Sequence, residues 1–147
     1  MTYATLQQLT DRYGARMLIA ITDRIDPPAG EPPTGEIDTQ VVDRALADTD
    51  AMIDGYLAVR YRLPLASVPA LVTDLAQMIA IWKLHPYAPD PKIEEDYKGA
   101  LRSLRDISTG TIRLSIEGAE PAGHAGSGAR LTDRERPLTA DNLKGFI

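Results

Sequence analysis

Two histidines, four closely spaced aspartates and a few hydroxyls are the residues of this chain whose types could do chemistry, and their spacing limits each of them. His85 precedes a proline and His124 lies among glycines; neither has a companion at metal-ligand spacing. Both therefore read as structural or solvent residues. Asp43, Asp48, Asp50 and Asp54 could hold a cation or work as an acid and base pair. Calcium, however, takes a ring of oxygens usually built on a loop, and a run of acids like this one reads as a solvated helix face. Such a face could pair with a basic neighbour in an oligomer. Ser67, Ser103 and Thr109 lack a histidine base at any triad-like spacing. The glycines of residues 118–128 do not follow a strand and precede a helix, as a phosphate-binding loop must. No catalytic, cofactor-binding or metal-binding set emerges, and the expectation is a protein that is not an enzyme.

Composition narrows the field further. The 147 residues are 44% hydrophobic and 25% charged, with a net charge of −5, which suits one soluble domain. The acidic balance and the lack of a basic run disfavour nucleic-acid binding as the main task. With no cysteine there are no disulfides, thiolate zinc sites or thiol nucleophiles, in keeping with synthesis in reducing cytosol. No apolar run approaches the roughly 20 residues of a membrane span, and the first residues lack the pattern of an export signal. No membrane association is expected.

The elements that would position these residues are helical. Thr5 with Gln8 forms a capping box for a helix to about Tyr13, and Gly14 is placed to end it in the left-handed conformation. Met17, Leu18 and Ile21 then repeat at helical spacing, giving a helical hairpin. Residues 26–36, DPPAGEPPTGE, form a proline-rich loop. Asp38 caps a long helix with Val42, Leu46, Ile53 and Leu57 on its apolar face, expected to reach Arg60 and to stop before Pro64. Ser67 is the expected cap of the next helix, with Pro69 in its first turn. Leu71, Val72, Leu75, Met78, Ile79 and Trp82 cover most of that helix, so it is buried on several sides, by its own bundle or by a neighbouring subunit.

Asp90 and Pro91 start a further helix with Ile93, Tyr97, Ala100, Leu101, Leu104 and Ile107 in one stripe, closed by Gly110. Alternation of Ile112, Leu114 and Ile116 predicts a short strand after it. The fold class is thus mainly α: residues 1–117 as a small helical bundle with a short C-terminal strand, and residues 118–147 as a glycine-rich tether and an extended C-terminal arm. The arm carries Arg130, Arg134 and Arg136, then Leu138, Leu143 and the single phenylalanine, Phe146. Asp133 and Glu135 interleave with the arginines, which favours salt bridges to a protein partner over DNA. Apolar residues beyond a tether need a surface on which to bury.

One stretch is distinctive in wording. In IDGYLAVRYRLPL, residues 53–65, Tyr56, Leu57 and Tyr61 suit packing in a helix corner, Arg60 suits a helix C-terminus, and Asp54, Leu63 and Pro64 complete the motif. Together with YATLQQLTDRYG, VPALVTDLAQMIAIWKL, YKGALRSLRDISTG and, more loosely, LTADNLKGF, it resembles the head-to-tail connector proteins of Mu-like phages and prophages. None of these motifs is catalytic; order and spacing carry the likeness.

The resemblance implies a structural virion protein, a head-to-tail adaptor assembled in the host cytoplasm and located at the head-tail interface. It implies twelve copies in a ring beneath the portal protein, completing the head and presenting a surface to a tail-side connector or terminator protein. DNA would pass through such a ring without sequence-specific binding, and no cofactor is expected. Physically, head-to-tail contacts close into a ring when the rotation per subunit matches. The arm would dock on a neighbouring subunit or the portal, with each weak dock multiplied around the ring. The alternative reading is a small helical protein-binding or regulatory module acting as a monomer or dimer.

Overall fold

The computed structural model describes residues 1–23 and 34–116, and these residues form five helices. Most of the proline-rich loop, the tether and the arm lie outside the described residues. Helix α1, Leu6–Tyr13, begins with the anticipated capping box: Gln8 donates its backbone N–H to the Thr5 hydroxyl, and the Thr5 N–H reaches the Gln8 side chain at 2.9 Å. Gly14 ends α1 and starts α2, Ala15–Thr22. Its φ of 86° needs glycine, but with ψ at 143° the chain turns in an extended form and not in the left-handed helical one expected.

The prolines that precede Asp38 are framed by a polar clasp. The Asp23 carboxylate accepts the Gly35 N–H at 3.0 Å and the Thr34 hydroxyl at 3.2 Å. Buried Thr22 adds a second tie, donating to the Leu18 carbonyl at 2.7 Å and accepting the Asp38 N–H at 3.2 Å. Thr22 at the end of α2 and the following Asp23 thereby fix where the long helix begins.

Helix α3 spans Thr39–Leu57, with Asp38 accepting the N–H groups of Gln40 and Val41. It ends at Leu57, one turn short of the predicted Arg60, and is about 28 Å long at 1.5 Å per residue. The stop precedes Pro64 because Arg60 and Tyr61 both turn their N–H groups to the Leu57 carbonyl, tightening the chain into the corner. Helix α4, Ala70–Leu84, starts after Pro69, which fixes its own φ at −65°. Ser67 is exposed and makes no side-chain cap, contrary to expectation, because the helix begins three residues beyond it. Helix α5, Pro91–Thr109, has the Asp90 cap and the Pro91 start that the residues predicted.

Helices α3, α4 and α5 pack on one another, and α1 lies against both α3 and α4. The contacts set direction: Tyr61 meets Leu114 at one end of the bundle, whereas Lys83 reaches the Asp48 carbonyl toward the other. So α3 and α5 run parallel and α4 runs back between them. Val72, Leu75, Ala76, Ile79, Ala80, Ile81 and Leu84 make α4 the centre of the core. Most of its apolar surface is covered within the chain, while Leu71, near its start, stays 40% exposed. Trp82 and Tyr97 stack with ring centres 4.0 Å apart, locking α4 to α5.

The strand predicted for residues 111–117 does not form; no strand occurs among the described residues. The alternation was nonetheless informative, because Leu114 and Ile116 are buried and Ile112 packs on the core. A strand needs a neighbour to share its backbone hydrogen bonds, and here the Leu114 N–H goes to the Tyr61 hydroxyl at 2.9 Å instead. The segment is an extended strap over the bundle.

Candidate functional site

The residues with chemical potential are dispersed, and local structure explains most of them. Asp43 and Asp48 are exposed on α3, while Asp50 and Asp54 face the N-terminal segment, where buried Tyr3 donates its backbone N–H to Asp50 at 3.0 Å and its hydroxyl to Asp54. The four aspartates thus divide into two pairs with different surroundings. Burial raises the Asp50 pKa above the ordinary carboxylate value, against the lowering by the Tyr3 N–H. Burial and the hydrogen bond to Asp54 likewise raise the Tyr3 phenol. No group of three or more metal-ligating side chains occurs among the described residues.

His85 caps the end of α4, with its Nδ1–H donating to the Ile81 carbonyl at 2.8 Å. Ser103 lines a groove between α4 and α5, and Thr109 donates to the Asp106 carbonyl at the end of α5. His124 and the arm residues Arg130, Arg134, Arg136, Leu138, Leu143 and Phe146 lie outside the described residues.

The helix-corner motif is where sequence-predicted residues converge. Leu57 and Tyr61 are buried, and Tyr56 and Leu63 pack against the core, with Pro64 exposed after a cis peptide bond. The Arg60 guanidinium lies against Gly110, in the space that a Cβ there would occupy, with Nη2 at 3.1 Å from that position. Gly110 is left-handed, at φ 84° and ψ 10°, and closes α5. A cation here opposes the negative end of α5, as anticipated for the motif, although the helix it serves is α5 and not α3. Asp54, Arg60 and Tyr61 together bind the N-terminal segment, the end of α5 and the strap to one corner.

Two surface features remain after this packing. At the corner, Val59 is 71% exposed, and Arg62, Arg105 and Arg113 are exposed on the segments at this end of the bundle. At the far end, Tyr87 is 86% exposed on the loop between α4 and α5, and Glu36, Asp43, Asp90 and Glu95 are exposed on the elements that meet there. The bundle is basic at one end and acidic at the other. Sequence reading missed this polarity because charges distant in the chain share an end only once the helix directions are known. The groove between α4 and α5, about 530 Å³, has Gly99 and Ala100 in its lining, with Asp74, Glu95 and Asp96 among the charged residues around it. Asp74 is engaged by Arg12, and Asp96 by Lys92. No helix among the described residues is long and apolar enough to cross a membrane.

Comparison with known proteins agrees with the sequence resemblance at the level of family. The model of the family described as Bacteriophage Mu, Gp36 matches residues 3–132. Gene product J of Escherichia phage Mu is 33% identical over 147 residues, covering 100% of both chains. The Mu-like prophage FluMu protein gp36 of Haemophilus influenzae is 30% identical over 106 residues, 72% of this chain and 75% of that protein. The chain belongs to the Bacteriophage Mu Gp36 family of phage and prophage proteins.

Proposed function

We propose that this protein is a structural part of the virion, a head-to-tail connector whose copies form a ring beneath the portal and give the tail its attachment surface. The observation that carries the reading is membership of a Mu phage family over nearly the whole chain. The order of the motifs and the shape of the bundle support it: a corner that binds the N-terminal segment and the strap makes a stiff wedge suited to repetition around an axis. In this reading the bundle makes lateral contacts, and residues 130–147 dock Leu138, Leu143 and Phe146 on a neighbouring subunit or the portal, flanked by Arg130, Arg134 and Arg136. Ordering such a segment costs on the order of 1–2 kcal/mol per residue, so docking waits for its partner and gains from repetition. The protein is not an enzyme in this account.

Deleting residues 130–147 in the prophage tests it. The shortened chain keeps its helical circular dichroism and melts cooperatively, while filled heads and free tails accumulate without joining. Infectious particles from the truncated gene would end the docking mechanism. A second reading, a small helical binding module acting as a monomer or dimer, draws on one observation: most of the apolar surface of α4 is covered within the chain itself.

A further inference from the structure

We infer that the two ends of the bundle are complementary contact surfaces, the corner of one copy seating on the α4–α5 loop of the next. This deepens the ring reading and rests on it. At the corner end, Val59 is exposed, as are Arg62, Arg105 and Arg113. At the opposite end, Tyr87 projects from the sequence Pro86, Tyr87, Ala88, Pro89, with Asp90 and Glu95 exposed beside it and Asp43 exposed on α3. Each end therefore offers one prominent apolar side chain, among mainly basic exposed residues at the corner and mainly acidic ones at the opposite end, where exposed Lys92 is paired with Asp96. Like ends repel and unlike ends attract, which selects a head-to-tail contact over a symmetric one.

Tyr87 is suited to the central position of such a contact. Pro86 and Pro89 stiffen the loop on either side of it, and tyrosine combines an apolar body with a polar tip. Val59 is half the size and sits where the chain is held firmly, between buried Leu57 and buried Tyr61. Not every charge at the acidic end is negative. Arg44 and Lys83 line a shallow cavity of about 130 Å³ there, and Lys83 is turned to the Asp48 carbonyl at 3.3 Å. The occupant is a second copy of this chain because the same molecule carries both halves of the complementarity. A single such contact is small and weak, and closure around a ring multiplies it.

The absence of cysteine from the sequence makes a clean cross-linking test possible. V59C, Y87C and the double variant V59C/Y87C are prepared in the full-length chain and treated with a short bismaleimide, both as concentrated protein and in purified phage particles. The double variant is expected to give a ladder beyond the dimer, an equal mixture of the two single variants a dimer and nothing larger, and each single variant alone no product. Self-linking of either single variant as efficiently as the mixture would overturn the head-to-tail contact in favour of a symmetric one. Absence of a ladder in particles that contain the double variant would overturn the contact while leaving the connector reading intact. If the chain is missing from purified particles, the connector reading falls, and the ladder from concentrated protein alone decides the contact.

Discussion

Tyr3 shows how a single residue can reassign charges that seem to belong to solvent. Asp50 and Asp54 lie in an acidic run that reads as a hydrated helix face, and nothing near them in sequence signals otherwise. Their partner is some fifty residues away, which is why spacing alone could separate neither the pair nor its role. Because burial and Asp54 raise the Tyr3 pKa, the folded chain holds the phenolic proton through a range in which the unfolded chain, with its ordinary value of 10.0, gives it up. The stabilisation is complete below pH 10 and declines as pH rises above it. Y3F should therefore cost about 1–2 kcal/mol near neutrality, through the lost hydrogen bond to a partly buried carboxylate. It should also show a shallower loss of stability than the parent between pH 10 and 11. Urea titrations across that range check both; parallel pH curves for the two proteins would mean that Tyr3 does not hold its proton in the fold.

At the scale of elements, helices whose signals are local were legible and elements that depend on distant partners were not. The N-caps at Thr5, Asp38 and Asp90 and the stop at Gly110 are written within a few residues, and each is found where expected. Alternation at Ile112, Leu114 and Ile116 reports which side meets an apolar surface; it does not say whether a second strand exists to complete a ladder. Here Tyr61 takes that place with one hydrogen bond. Ser67 failed as a cap for a different reason, since the proline after it fixes where α4 can begin. The helix-corner residues stand together in sequence, but their tasks, Asp54 on the N-terminal segment, Arg60 at the end of α5 and Tyr61 on the strap, are visible only in three dimensions.

The junction of α5 with the corner makes a direct prediction. In G110A the added methyl meets the Arg60 guanidinium and the left-handed backbone at φ 84° becomes strained. A loss of roughly 1–3 kcal/mol is expected, seen as a fall in Tm of several degrees. G55A serves as the control. Gly55 is helical and a Cβ there meets nothing within 4 Å, so that substitution should stabilise by up to about 1 kcal/mol. Equal effects of the two changes would show that the Arg60 contact and the left-handed turn have no special role.

The whole molecule combines a core closed within one chain with two ends of opposite charge. Of the two covers that the composition of α4 left open, its own bundle or a neighbouring subunit, α1, α3 and α5 supply most, and Leu71 stays exposed. In the proposed reading assembly is driven from the surfaces, by the polarised ends and by the arm, whose residues lie outside those described. Family membership was legible because order and spacing of non-catalytic motifs extend over most of the chain. The end polarity was not, because it arises from helix directions.

The central claim is that the protein occupies the neck of the particle, and imaging of intact virions by electron cryomicroscopy tests it most directly. The account predicts a closed ring of helical bundles between portal and tail into which the five helices fit, with the corner of each copy beside the α4–α5 loop of the next. A neck whose density is fully explained by other proteins, with this chain absent from the particle, would contradict it.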